Sequence, residues 1–382
     1  MSRVIYLDNN ATTQVDDRVV EAMVPFLNKF YGNPSSMHSF GGQVGKHLVH
    51  AREQAAHILH ADPTEIVFTS CGSESDNTAI RGVLDSNPDK RHIITTRVEH
   101  PAVLNLCQFL KKRGYEVTFL SVDGEGRLDL DELRGAIRPD TAIVSVMYAN
   151  NETGVVFPIE EIGQIVKSHG VIFHVDAVQA VGKIDPELWR GADSIAVAAH
   201  KIGGPKGIGA VVVGRCTALR PVLVGGGQEY GIRPGTPSAA LAAGFGIAAD
   251  WARGAPVRYA GISKVRDRLE AGAVALGARV NGAGLRLPHV SSVTFEGRRG
   301  DEIVAGLDQE GVCVSSGSAC SSGASERSPV IEAMLGARRA SGSVRASLGD
   351  ITTEQEVDEA VKAWGRVMGR LEMDEVLLEV LR

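Results

Sequence analysis

The chain has little of what would tie it to a membrane, a disulfide framework or a nucleic acid. No run of about 18 apolar residues occurs in the sequence, so no stretch reads as a membrane-spanning helix. The opening residues, "MSRVIYLDNNATT", lack the apolar core of a secretory signal, and a cytoplasmic location is expected. Only five cysteines occur among 382 residues: Cys71, Cys107, Cys216, Cys313 and Cys320. They form no C-x-x-C pair, which argues for a reducing compartment and against disulfides. Forty basic side chains face forty-six acidic ones, a formal charge of −6. No overall basic field therefore exists to hold nucleic acid or an anionic membrane. A nucleotide-hydrolysing P-loop is missing too, since "GGQVGK" has three residues between Gly41 and the Gly45-Lys46 pair and continues with His47. Metal chemistry has no ready ligand set. Cys313 and Cys320 lie seven apart without ligands nearby, and His38, His47, His50, His57 and His60, the last four at helical spacings, read as a solvated helix face.

What is present is a globular composition, 43% apolar, enough to fill a sizeable core. Seven short β-branched runs, "EIVFTS", "HIITTRV", "EVTFLSV", "AIVSVMYA", "VIFHVDAV", "SIAVAAH" and "GAVVVG", alternate with helical stretches between Ile66 and Val213. Near-continuous apolar strands interleaved with helices predict an α/β fold, with a mostly parallel seven-stranded sheet covered on both faces. Helical patterns follow Thr236, and "SSVTFEG", "VCVSSG" and "GSVRASLG" then read as strands of a smaller α+β unit. The expected division is a large domain over residues 15–254 and a small one formed by 1–14 and 255–382. Ligands of such sheets gather beyond the carboxyl ends of the strands, and the distinctive residues fall on those loops.

"TSCGSESDNTAI" is a strand end, a glycine and a helix start. Its free N–H groups suit an anion such as phosphate, or are simply capped by Ser73 or Ser75. "AHKIGGPKGIG" places Lys201 between an apolar strand and a glycine-rich turn, where a partly desolvated amine can form a Schiff base. "FHVDAVQAVGK" puts Asp176 at the end of a buried strand, where a carboxylate needs a partner: a salt bridge, or the protonated pyridine nitrogen of an electron-sink cofactor. Phosphate cradle, lysine and aspartate on successive loops match the three attachments of pyridoxal 5'-phosphate. In "VEHPAV", His100 can stack on the pyridine and move a proton. Cys107 reads as a small hydrophobe in a helix core. Cys320 stands apart, in "VSSGSACSSGASE" (314–326), where nothing can bury it. Small residues there predict a soft loop able to carry a thiol into a cleft. An ordinary thiol is about 3% ionised at neutral pH, enough to attack sulfur.

From "IYLDNNATT" through "GNPSSMHSFG", "FTSCGSESDN", "VEHPAVL", "NNETG", "HVDAVQAVGK", "HKIGGPKGIG" and "SSGSACSSG" to "TTEQEVDEAV", the sequence resembles the pyridoxal-phosphate cysteine desulfurases of the class V aminotransferase-like group. The wording is nearest the nitrogenase-associated (NifS) branch, with a long catalytic loop. The resemblance implies the type I fold of pyridoxal-phosphate transferases. It implies that Lys201 holds the cofactor in Schiff-base linkage, that His100 stacks on its ring and takes the substrate's thiol proton, and that Asp176 pairs with its pyridine nitrogen. Gln179 and Asn151 would bond its phenolic oxygen or position substrate. Gly72, Ser73 and His200 would bind the phosphate, with Thr236 reaching across from a second subunit of a homodimer. Arg345, helped by Asn33 and Asn151, would clamp the substrate carboxylate. L-cysteine would become L-alanine, its sulfur left on Cys320 as a persulfide for an iron–sulfur scaffold protein, serving nitrogenase or general cluster assembly. Cys320 would be the one point of transient contact with a cluster. A selenocysteine lyase, an aminotransferase with Cys320 idle, and a sulfur carrier without cofactor are the alternatives. Two positions depart from the pattern: Ala198, where a phosphate-binding serine is common, and Pro234 before Gly235.

Overall fold

The computed structural model describes residues 4–184, 191–317 and 327–380. Its strands are β1 (Ile5–Tyr6), β2 (Ile66–Thr69), β3 (His92–Thr96), β4 (Glu116–Leu120), β5 (Thr141–Met147), β6 (Ile172–Asp176), β7 (Ser194–Ala198), β8 (Gly209–Val213), β9 (Arg279–Val280), β10 (Val290–Thr294), β11 (Val312–Cys313) and β12 (Ser343–Ser347). The seven β-branched runs form one sheet in the order β2-β8-β7-β6-β5-β3-β4. All its neighbours are parallel except those of β8, which runs against both β2 and β7. The reversal has a local cause. Ten residues separate β7 from β8, too few for a parallel crossover, which takes a dozen or more, so the glycine-rich turn after Lys201 folds the chain straight back.

Helices cover both faces. Gly72–Ser86 and Pro101–Lys112 lay Ile80, Val83, Leu106 and Cys107 on one side of the sheet. On the other, the larger core includes Ile94, Val144, Phe173 and Val197 with Ala55 and Phe245 of the helices Ser39–Ile58 and Ala239–Ala252. His47, His50, His57 and His60 are exposed along or just beyond Ser39–Ile58, the wet face expected.

A second apolar core joins the two ends of the chain. Ile5 and Leu7 pack with Leu269, Val293, Val344 and Trp364, around an antiparallel sheet β12-β10-β9 and the parallel pair β1-β11. The "VCVSSG" run is shorter as a strand than expected. It pairs through Val312 and Cys313 and a single bridge from Ser315 to Arg345, because Gly317 then turns the backbone to a φ of 77°.

One buried ion pair ties these pieces near the large core. Arg52 holds Glu229 with two bonds, of 2.8 and 2.7 Å, and Glu229 also accepts from the Phe68 N–H at 2.7 Å. A helix, an edge strand and the segment leading to Thr236 thus meet on one carboxylate. Glu229→Ala leaves a buried guanidinium unpaired and is expected to cost about 3–5 kcal/mol in denaturant unfolding.

Candidate active site

The carboxyl ends of the parallel strands converge on Lys201. It sits in a single 3₁₀ turn, Ala199–Lys201, right after β7. The Gly204 N–H closes that turn on the Ala199 carbonyl at 2.9 Å. A Cβ on Gly204 would come within 2.7 Å of the same oxygen, so this position must be glycine. The amine is gripped by an extended N-terminal segment: Lys201 Nζ donates to the carbonyls of Asn10 and, at 2.9 Å, Ala11. That segment is fixed on the lysine's own turn by Thr13, whose N–H and hydroxyl both donate to the His200 carbonyl at 3.0 Å. The His200 ring bonds Thr12 Oγ1 at 3.1 Å, and its pKa is pushed down to about 4 by burial and the Lys201 charge.

Asp176 ends β6, its Oδ1 accepting from the Val178 N–H at 2.9 Å. Burial and the neighbouring Asp76 carboxyl raise its pKa to about 7. Such a carboxylate is short of positive charge. Behind it, His174 Nε2 lies 3.2 Å from Asp76 and Nδ1 lies 2.8 Å from the Ser194 hydroxyl, all three buried. His100 is the N-cap of Pro101–Lys112, with proline at the first helical position. Its Nδ1 accepts from the Ala102 N–H at 3.1 Å. Burial, Lys201 and Arg345 lower its pKa to about 4, so the ring is held in its neutral form near pH 7. The adjacent Glu99 is buried. Its Oε1 accepts from Thr96 Oγ1 at 2.7 Å and the Met147 N–H at 3.0 Å, joining the ends of β3 and β5, while Oε2 has no partner.

The helix Gly72–Ser86 points its first turn at the same region, and no side chain caps it. Neither serine acts as a cap: Ser73 is exposed, and Ser75 bonds Thr69 Oγ1 at 2.7 Å instead. The first-turn N–H groups remain available to an anion. A Cβ on Gly72 would lie 2.8 Å from Val178, so the close approach requires glycine.

On the other side, Arg345 rises from β12 into the gap between the two cores. Nη2 meets Asp8 at 2.7 Å, Nη1 donates to the Asn151 carbonyl at 3.1 Å, and Nε has no partner. Asn151 is presented by a turn in which Asn150 Oδ1 accepts from the N–H groups of Glu152 and Thr153, each at 2.9 Å, and Asn151 Oδ1 is itself unpartnered. Gln179 Nε2 donates to the Asn10 carbonyl at 3.0 Å. His100, Asp176 and His200 thus feel the charge of Lys201, Gln179 shares the Asn10 carbonyl with it, and Arg345 bonds Asn151 and acts on His100. Asn33 is exposed and bonds its own turn through the Ser35 N–H, without a hydrogen bond to Arg345. Thr236 is exposed on the far side of the Glu229 anchor. Cys320 lies outside the described residues. Asp8, Asn10, Ala11 and Glu99 were not found from sequence, although "IYLDNNATT" contains three of them.

Fold and site define an α/β enzyme with a lysine-centred pocket of the transferase type. Residues 5–360 match the family Aminotransferase class-V. The chain is 52% identical over 374 residues to "Cysteine desulfurase" of Trichormus azollae, covering 96% of this chain and 94% of that protein. It is 45% identical over 374 residues to "Cysteine desulfurase NifS" of Azotobacter vinelandii, covering 96% and 93%. A solved structure described as a NifS-like protein superposes with a TM-score of 0.90 at 37% identity, over 97% of this chain and all of that one. The chain belongs to the class-V aminotransferase family.

The donor set fits pyridoxal phosphate. Asp176 forms no ion pair among the described residues, the Gly72–Ser86 helix is uncapped, Lys201 offers an amine, and Asn151 Oδ1 and Arg345 Nε are buried polar atoms without partners.

Burial lifts the Glu99 pKa to about 8, above the unfolded value of about 4.3. Stability from this carboxyl is therefore full below the unfolded value and is lost as pH rises through about 8. Glu99→Gln is expected to flatten the fall in melting temperature between about pH 5 and about pH 9, measured with cofactor removed. An unchanged slope would show that Glu99 is ionised in the fold.

Proposed function

We propose that the protein is a pyridoxal-phosphate-dependent cysteine desulfurase. L-Cysteine and the Cys320 thiol yield L-alanine and a Cys320 persulfide. Atoms and electrons balance without an outside oxidant: one carbon–sulfur bond breaks, one sulfur–sulfur bond forms, and a thiol proton ends on the new methyl group. The observation that carries this reading is the pairing of a half-buried amine, Lys201, with a buried carboxylate, Asp176, that forms no ion pair among the described residues, beside the guanidinium of Arg345.

Lys201 would hold the cofactor, Asp176 its pyridine nitrogen, His100 its ring face, and the N–H groups at Gly72 and Ser73, with His200, its phosphate. Gln179 and Asn151 would face its phenolic oxygen. Once bound, the cofactor supplies an electron sink for a carbanion at the substrate's α-carbon. Lys201 Nζ carries the α-proton, the two backbone carbonyls giving the free ammonium a resting place. His100 would take the substrate's thiol proton and return it to the carbon that becomes the methyl group of alanine. Arg345 takes the substrate carboxylate, with Asp8 occupying its fork when substrate is absent and Asn33 assisting. Cys320 is the sulfur nucleophile. Among the described cysteines, burial raises the pKa of Cys107 to about 12 and also lifts that of Cys313, the wrong direction for attack.

Homodimerisation is part of the reading. Thr236 is exposed and would complete the phosphate site of the second subunit, and Leu27, Tyr31, Met37 and Val224 are exposed apolar side chains available to an interface. The persulfide would pass to an iron–sulfur scaffold protein. Among the described residues no helix is long and apolar enough to cross a membrane.

Incubation with L-cysteine and a thiol reductant is expected to give alanine and sulfide in equal amounts. Cys320→Ser should bind the cofactor normally yet release no sulfide; persistence at the parent rate would end the persulfide assignment. Arg345→Ala should raise KM for cysteine about 10- to 100-fold, the loss of a charged hydrogen bond worth about 1.5–3 kcal/mol.

A further inference from the structure

Lys183 is a buried amine that the mechanism above does not use. It is 2% exposed, and its Nζ donates to Gln179 Oε1 at 3.2 Å. No carboxylate pairs with it among the described residues. It shares a cavity of about 290 Å³ with Lys201. The acids lining that cavity are Asp16 and Asp350, which are committed to Arg18 and Arg258, and Asp17, which is exposed. The other charges facing Lys183 are those of Lys201, His200 and His289, none of which can neutralise a cation. Burial, with Lys201 second, lowers its pKa to about 7. A lysine held at that cost with a single amide acceptor calls for a reason.

The reason lies in the amide it touches. A carboxamide has one accepting end and one donating end, and lysine Nζ can only donate as an ammonium. Oε1 of Gln179 must therefore face Lys183, and Nε2 is turned toward the Asn10 carbonyl, at 3.0 Å. That carbonyl also receives Lys201 Nζ. Without Lys183 the amide could rotate by half a turn and offer its oxygen to the Lys201 amine instead. We propose that Lys183 is a positioning residue that locks Gln179 with its N–H donor, not its oxygen, directed at the Lys201 end of the pocket, so that an oxyanion of the bound ligand meets a donor there.

This inference rests on the pyridoxal phosphate reading, and absorbance separates the two. The parent holoenzyme is titrated with pH while the visible band of the cofactor bound at Lys201 is followed. If the parent gives no such band, the cofactor reading itself fails. Given the band, Lys183→Met is expected to move its titration midpoint upward by about half to one unit, because a donor that stabilises the oxyanion is no longer held in place. Lys183→Arg, which keeps donor and charge, is expected to restore the parent midpoint. In a Gln179→Leu background Lys183→Met should produce no further shift. A parent midpoint in Lys183→Met overturns the proposal. So does an equal shift in both backgrounds, which would show a direct effect of charge. If Lys183→Met does not fold, Gln179→Leu alone carries the test: an upward shift is expected, and an unchanged midpoint means there was no oriented donor to lock.

Discussion

Two backbone carbonyls, those of Asn10 and Ala11, receive the amine of Lys201, and the site is built on the segment that presents them. The segment enters as β1, hydrogen-bonded to β11, and its Asn9 N–H donates to Ser347 at 3.0 Å. It then crosses to the lysine's own turn through Thr13 and, further on, Asp16, whose N–H donates to the Gly203 carbonyl at 3.0 Å. Its apolar side chains, Ile5 and Leu7, belong to the second core, while its polar atoms belong to the pocket. The distance between the carboxylate clamp and the lysine is thereby set by a few peptide units rather than by side-chain contacts alone. Backbone carbonyls suit the task. They hold an ammonium by dipole, without the full counter-charge that a carboxylate would impose on an amine required to be nucleophilic.

The electrostatics of the pocket follow one pattern. Burial raises the carboxyls of Asp176, Asp76 and Glu99 and lowers the bases His100, His200 and Lys183. Each group is pushed toward its neutral form, as expected where water is excluded and charges are not matched within the chain. A ligand carrying both a cationic ring nitrogen and anionic oxygens would supply the missing matches, Asp176 taking the first and the helix N-terminus and Arg345 the second. Perturbed titrations of this kind gather at functional sites, and here they gather around a single lysine.

Much of this was legible in the residues. The seven sheet strands were plain because each is a β-branched run bounded by polar turns, and Lys201 and Asp176 stood out because a charge at the end of a buried strand conflicts with its surroundings. β1 and β9 were missed because two residues are too few to show a period. The carbonyls of Asn10 and Ala11 carry no residue signature at all, since any residue offers one. Asp8 and Lys183 gain their meaning only from partners brought close by the fold, Arg345 being 337 positions from Asp8. That His100 caps a helix through Nδ1 depends on a backbone N–H two residues on, and residue type alone does not reveal it. Asn33 and Thr236 came through resemblance alone, and within one chain neither bonds to the pocket.

The strand of Arg345 and the stretch leading toward Cys320 are joined by backbone. Ser315 and Arg345 exchange both hydrogen bonds, at 3.0 and 2.7 Å. A Cβ on Gly317 would lie 2.9 Å from that of Ser328, so the chain leaves and returns at nearly one point. Ser328 caps the helix Pro329–Leu335 and donates to Glu152 at 2.5 Å, next to the Asn151 whose carbonyl holds Arg345. Ser315 and Ser328, which lie on either side of residues 318–326, are thus bonded to the strand and the turn that hold Arg345. If Arg345 takes the substrate carboxylate in place of Asp8, as proposed, the strand that recognises substrate is bonded through Ser315 to the residues leading toward Cys320. Asp8, Asn151 and Arg345 are far apart in sequence yet bonded to one another in the fold, which is what a shared recognition group requires.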